Sequence, residues 1–271
     1  MVHLITQFYQ VNYTNQPIDL IKKRQFEITT CLKNNLDNIE IENIHFLYES
    51  YSDVEFMESE GISKDHPKII LYNLGHRLKY SNVFRYANTY LNSKVCIYAH
   101  SDMTLKDGFH LLNGNFNMNP NKIYCLTAHN NKTCARSFKC NCVRQFVTKK
   151  GVYTPTVDGI VFKGGAINEK ATNDCNHIMH RMGSENRMIA ILKREGYEVV
   201  CPNIVLYALH LHYIKIFAEQ HNTWIEMSGD CKPLEYYQKL HREQEHESYD
   251  KKIVGGGIPF YDGTVEIVNK I

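Results

Sequence analysis

"KVCIYAHSDMTL", residues 94–105, is the stretch whose reading decides the fold. Lys94 to Ala99 are mostly apolar β-formers and read as a buried strand. His100, Ser101 and Asp102 follow at once, and "TLKDGFHLL" (104–112) resumes with helical spacing. Ligands of open α/β sheets bind at the carboxyl ends of strands. An acid there can hold a metal, orient a sugar, or cap the next helix.

Working outward, the pattern alternates. "HLITQFYQ" (3–10) reads as a strand, and "IDLIKKRQFEITTCLKNNL" (18–36) as a helix with Ile18, Ile21, Phe26, Ile28 and Leu32 on one face. "IENIHFLYE" (41–49) and "KIILYN" (68–73) read as strands, with a polar, loop-like stretch between them. "KYSNVFRYANTYL" (79–91) reads as a helix with Phe84, Ala87 and Leu91 inward. Then come the strands "NKIYCLTAHN" (121–130) and "DGIVFKG" (158–164), with residues 131–157 irregular. "SENRMIAILKREGYEVV" (184–200) gives helix, turn and strand, and "IVLYALHLHYI" (204–214) a long strand. The β/α alternation predicts a mostly parallel, partly mixed sheet with helices on both faces. Domain expectations are 1–217 for the α/β domain and 218–271 for a C-terminal helical extension and tail.

The 271 residues, 43% of them apolar, can bury a sizeable core. A net charge of +2 gives no electrostatic case for nucleic acid. "IKKR" (21–24) reads as a solvated basic face. No apolar run approaches the length of a membrane span, and no signal peptide is visible, so a cytoplasmic setting is expected. Nine cysteines without an export signal read as mostly reduced thiols. Cys134, Cys140 and Cys142, with His129 nearby, match no common zinc module, and free thiols are the preferred reading. The oligomeric state is not legible.

Three places can carry chemistry. Asp102 ends the buried strand, and its structural alternative is a helix cap. His210 and His212, two apart in a strand, face one side and can ligate a divalent metal or contact phosphate. Their alternative is a hydrogen-bonded pair on a half-buried strand. Glu185, with Asn186, opens an amphipathic helix. It either complements the helix dipole or serves as a general base.

The order "KRQFEITTCLKNNL", "IENIHFLYE", "GHRLKYSNVFRYAN", "CIYAHSDMTL", "DGIVFKGG", "GSENRMIAILKREGYEVVCPN", "ALHLH" resembles the GT-A-type nucleotide-sugar glycosyltransferases over residues 3–217. Within them it is similar to uncharacterised glycosyltransferase-like proteins of large DNA viruses, plants and bacteria. The resemblance implies a single GT-A, Rossmann-like domain. It implies a nucleoside diphosphate sugar donor, a UDP-sugar, and a glycan or other hydroxyl acceptor. It also implies Mn²⁺ or Mg²⁺ as cofactor, held by Asp102 with His210 or His212. The family's D-x-D metal motif is "HSD" here, so only Asp102 is acidic, and metal dependence is in question. Gln7, Tyr9, Glu49 and Arg77 occupy nucleotide-binding positions, with Ser101 beside the metal acid. Glu185 stands at the base of inverting members, and Asp158 is the competing carboxylate, expected on sugar hydroxyls. The alternatives are a catalytically lapsed binding module and a metal-dependent nucleotidyltransferase or hydrolase.

Overall fold

The structure is a computed structural model that describes residues 1–12, 17–113, 116–126, 157–179, 184–202 and 205–211, together with the backbone of several short strands. In chain order the elements are β1 (Val2–Thr6), α1 (Ile18–Leu36), β2 (Ile41–Tyr48), α2 (Tyr51–Ser59), β3 (Ile69–Asn73), α3 (Tyr80–Tyr90), β4 (Val95–Ala99) and β5 (Met103–Leu105). There follow β6 (Lys122–Leu126), β7 (Ala128–His129), β8 (Gln145–Val147), β9 (Tyr153–Pro155), β10 (Gly159–Lys163), α4 (Glu169–Asp174) and α5 (Ser184–Arg194). The last are β11 (Glu198–Cys201), β12 (Ala208–His210), β13 (Ile253–Val254), β14 (Ile258–Pro259) and β15 (Glu266–Ile267).

The central sheet has eight strands in the order β15-β11-β6-β10-β4-β1-β2-β3. All neighbours run parallel except β10, which is antiparallel to both β4 and β6. Strand pleating sends alternate side chains to opposite faces. Leu4, Ile97, Tyr124 and Val161 accordingly pack with Ile28 and Leu32 of α1 and Val54 and Met57 of α2. Their neighbours Ile5, Cys96, Tyr98, Cys125 and Phe162 pack on the other face with Phe84 and Ala87 of α3, Ala171 of α4 and Ile189 and Leu192 of α5. Each fully buried Ile, Leu or Phe in these layers contributes about 1.5–3 kcal/mol. The chain is therefore an α/β protein with a mixed, mostly parallel sheet and helices on both faces, as expected.

Several local expectations are corrected. Ile18 and Phe26 of α1 are 62% and 68% exposed, because Phe26 lies two residues, and so about 200°, from Ile28 on the helix. The polar stretch after β2 contains α2, started by a capping box in which Ser50 accepts from Ser52 N and Asp53 accepts from Ser50 N. "TLKDGFHLL" is not an α-helix but β5 followed by a 3₁₀ turn at Phe109–Leu112. Asp102 therefore caps no helix. The long strand expected at 204–214 is only Ala208–His210 among the described residues, and β8 and β9 lie in the stretch read as irregular. Most of 218–271 lies outside the described residues. The described pieces there are strands, and β15 joins the central sheet beside β11. Among the described residues, no helix is long and apolar enough to cross a membrane.

Candidate functional site

The parallel strands β1, β2 and β4 end at one edge of the sheet, followed by Gln7, Glu49 and His100–Asp102. Because β10 runs the other way, its starting residue reaches the same edge: Asp158 precedes Gly159, which pairs with Ala99 at the end of β4. His100 N donates to Asp158 O at 3.1 Å. A second, three-stranded sheet, β5-β12-β7, carries the remaining residue. In it His210 pairs with Met103 across antiparallel strands, and Leu211 N donates to Asp102 O at 3.0 Å. This register brings together residues 108 positions apart: His210 Nε2 lies 2.6 Å from Asp102 Oδ2.

The same Oδ2 accepts a second donor, Arg24 Nη2 of α1, at 2.5 Å. Arg24 Nη1 donates to Glu27 Oε2 at 2.8 Å, and the Glu27 side chain is only 1% exposed. Burial opposes the guanidinium's charge, but the two carboxylates outweigh it and hold Arg24 more firmly protonated. For His210, too, burial works against the cation; the charge and hydrogen bond of Asp102, with Asp158 beyond, prevail and raise its pKa. Asn35, lower on α1, fixes the helix to β5. Its amide donates to Met103 O and accepts from Leu105 N, each at 2.9 Å. Arg24 is thus held over Asp102 by the same helix that Asn35 clamps.

Glu185 lies at the other side of His100. Its Oε1 accepts from Ser184 Oγ at 3.0 Å and Tyr80 OH at 3.4 Å, and is 3.6 Å from His100 Nε2. The buried His177 ring contacts Ser184 O at 3.0 Å and so anchors the start of α5. Burial raises the Glu185 pKa to about 7, with hydrogen bonds from its own backbone and Ser184 opposing and Asp158 adding to the rise. His100 is lowered to about 4 by burial, against the pull of Asp102, so the ring facing Glu185 is neutral at pH 7. A carboxylate that titrates near neutrality beside a neutral imidazole is able to take a proton.

Gln7 and Glu49 meet at the next strand ends. Gln7 Nε2 donates to Glu49 Oε1 and to Leu47 O, both at 3.3 Å. Glu49 Oε1 also accepts from Leu78 N at 3.3 Å, which ties down the loop bearing Arg77. Arg77 itself is exposed. Tyr9 is half-buried, and its carbonyl accepts from Gln25 of α1, one residue beyond Arg24. Ser101 is buried beside Asp102. His212, the Cys134/Cys140/Cys142 cluster and the side chains of His129 and Asn186 lie outside the described residues.

Sequence reasoning brought Asp102, His210, Asp158 and Glu185 to one edge but missed Arg24 and Glu27. The signal was present: Arg24, Ile28 and Leu32 are four apart, so Arg24 stands on the buried stripe of α1. As arranged, these residues do not fit a divalent cation at Asp102. Its Oδ2 already holds a guanidinium and an imidazole, and among the described residues no group of three His, Cys, Asp or Glu side chains is placed to hold a metal ion. A cavity of about 470 Å³ lies toward the opposite ends of the strands, among His3, Glu42, His45, Tyr86 and Lys94, and is not part of this site.

No family model matches the sequence. No curated protein sequence is similar to it. Among solved structures, the fold is similar to a mannosyltransferase from Pyrobaculum calidifontis in complex with GDP-Man and Mn²⁺, at 12% identity and a TM-score of 0.47, over 89% of this chain and 68% of that one. It is also similar to the 2-C-methyl-D-erythritol 4-phosphate cytidylyltransferase of Francisella tularensis, at 11% identity and 0.41, over 81% and 96%. The inositol-1-phosphate CTP transferase of T. maritima gives 10% and 0.42, over 92% and 98%. Likeness at this level assigns neither family nor activity.

Proposed function

We propose that the chain transfers a sugar from a nucleoside diphosphate sugar, a UDP-sugar by the resemblance, to a hydroxyl of a glycan or other acceptor. The observation that supports this reading is the juxtaposition at one strand-end edge of Glu185, Asp158 and the Asp102–His210 pair. Gln7, Tyr9, Glu49 and Arg77 take the nucleotide end, with Ser101 nearer the phosphates. Asp158 binds sugar hydroxyls. Glu185 takes the acceptor proton as the acceptor oxygen bonds to the sugar's anomeric carbon and the bond from that carbon to the nucleoside diphosphate breaks, the diphosphate leaving with the electron pair; a single displacement of this kind inverts the carbon. Asp102 orients His210, which faces the donor's phosphates. No step is assigned to Mn²⁺ or Mg²⁺, since Asp102 would first have to exchange Arg24. The thiols of Cys31, Cys96, Cys125 and Cys175 are reduced and buried, which supports a reducing, cytoplasmic setting.

A screen of nucleotides and nucleotide sugars by thermal shift, with turnover measured in parallel, tests this. A ligand that binds only the folded state stabilises it by about 2.7 kcal/mol at a hundred times its Kd. UDP and a UDP-sugar should raise the Tm, and sugar release from one donor should be detectable. Stabilisation without any turnover would indicate a binding module. A nucleoside triphosphate that stabilises more than the diphosphate and releases pyrophosphate would indicate a nucleotidyltransferase.

A further inference from the structure

We infer that Arg24 is the resident cation of the Asp102 carboxylate and closes that acid to divalent ions, so that the chain takes its nucleoside diphosphate with no metal at Asp102. The second half rests on the function proposed above; the first stands on geometry alone.

An sp² carboxylate oxygen has two lone pairs. Both of those on Asp102 Oδ2 are engaged, by Arg24 Nη2 at 2.5 Å and His210 Nε2 at 2.6 Å. Only 11% of the Arg24 side chain and 7% of the Asp102 side chain is exposed, so neither swings freely into solvent. The guanidinium is also held at Nη1 by Glu27, one helical turn on, and by Leu211 O at 3.5 Å. It is therefore fixed from three sides: by its own helix, by the end of β4, and by the chain after β12. An arginine does not lose its proton in a protein, so this cation cannot vacate the site by titrating, as a lysine could. Oδ1 belongs to the same small carboxyl group, so a divalent ion approaching either oxygen would meet the repulsion of the fixed guanidinium beside it. The departure of "HSD" from the two-acid pattern fits this. In place of a second motif acid, Asp102 has a buried guanidinium beside it, one that it shares with Glu27.

Mn²⁺ binding to the free protein, read from loss of the free-ion electron paramagnetic resonance signal, tests the first half without nucleotide or activity. The wild type and Asp102→Asn should deplete the signal equally. Arg24→Gln should gain saturable Mn²⁺ binding, and Arg24→Gln/Asp102→Asn should lose it again. If Arg24→Gln does not fold, Arg24→Gln/Glu27→Gln removes one buried carboxylate along with the guanidinium and takes its place. Saturable Mn²⁺ binding by the wild type that Asp102→Asn abolishes would overturn the inference. So would a folded Arg24 variant that binds no Mn²⁺. For the second half, the calorimetric Kd for UDP should be the same in EDTA and in Mn²⁺, and UDP binding that requires Mn²⁺ and Asp102 would overturn it. Absence of UDP binding in both buffers would count against the proposed function and leave the Mn²⁺ result standing.

Discussion

At the scale of single residues, Glu185 carries the most consequence. A carboxylate with its pKa raised to about 7 is ionised in useful fraction at neutral pH and is basic enough to accept a proton. The helix N-terminus beneath it favours the charged form, but burial against Tyr80 dominates. Glu185→Gln keeps the shape and cannot accept the proton. Its kcat should fall by about 10²–10⁴ with donor affinity little changed. Near-normal turnover in Glu185→Gln, with loss in Asp158→Asn, would reverse the two roles. Stability should move the other way. An acid whose folded pKa is raised contributes stability below its unfolded pKa, near 4.5, and loses it as pH rises through 7. Glu185→Gln should therefore melt higher than the wild type at pH 8, and the gap should close toward pH 4.5. A gap that does not depend on pH would mean that Glu185 is not held in this environment.

At the scale of elements, the site depends on how β12 is laid beside β5. Lys106 N donates to Tyr207 O and Tyr207 N to Asp107 O, both at 2.9 Å, which extends the pairing past the strand ends. Gly108 then passes so close to the partner backbone that an added Cβ would lie 1.8 Å from Val205 O, and its φ is +89°. Only glycine suits that conformation without strain. Gly108→Ala should cost about 2–4 kcal/mol, at the upper end of ordinary substitutions, because backbone rather than a side-chain tip must move. It should also weaken UDP binding, since His210 rides on the displaced strand. A denaturant midpoint unchanged from wild type would show that this crossing is not rigid. None of this close approach was legible in the sequence, where Gly108 read as part of a helical run. What was legible follows from periodicity: α1, α3, α5 and the buried strands repeat apolar residues over several turns or pleats. The elements missed are short. In β5 and β12 there are too few residues to show a period, and α2 announced itself only through its Ser50 and Asp53 cap. Asp102, His210 and Glu185 were legible because each punctuates an apolar run. Arg24 was not, because a lone cation on a buried stripe looks like the lysines beside it until its partner is known.

At the scale of the whole molecule, burial of imidazoles sets how the protein meets acid. His45, His100 and His177 lie in three different parts of the fold, and each is lowered from 6.5 to about 4, chiefly by burial. His45 sits between His3 Nδ1 at 3.1 Å and the Tyr86 hydroxyl at 2.8 Å, far from the strand-end site. A base whose folded pKa is depressed contributes its full stability above the unfolded value. That stability is lost as pH falls from 6.5 toward 4, because the unfolded chain takes up the protons first. At about 1.4 kcal/mol per pKa unit, each such group is worth on the order of 3 kcal/mol when the loss is complete. Among the described residues, Glu185 and His210 work in the opposite direction, as does Asp53, raised by burial. Glu185 returns stability as pH falls below 7, and His210, raised by Asp102 against the effect of burial, does so as it protonates in the folded state. With His3 lowered by burial as well, the imidazole losses should outweigh these gains and leave the urea midpoint falling from pH 7 to pH 4.5. Glu185→Gln removes one of the gains, so its midpoint should fall more steeply than that of the wild type over the same range. A wild-type midpoint that stays level from pH 7 to pH 5 would mean that these imidazoles reach solvent and carry protons in the folded protein. In that case the neutral His100 beside Glu185, on which the proposed proton transfer depends, would also be lost.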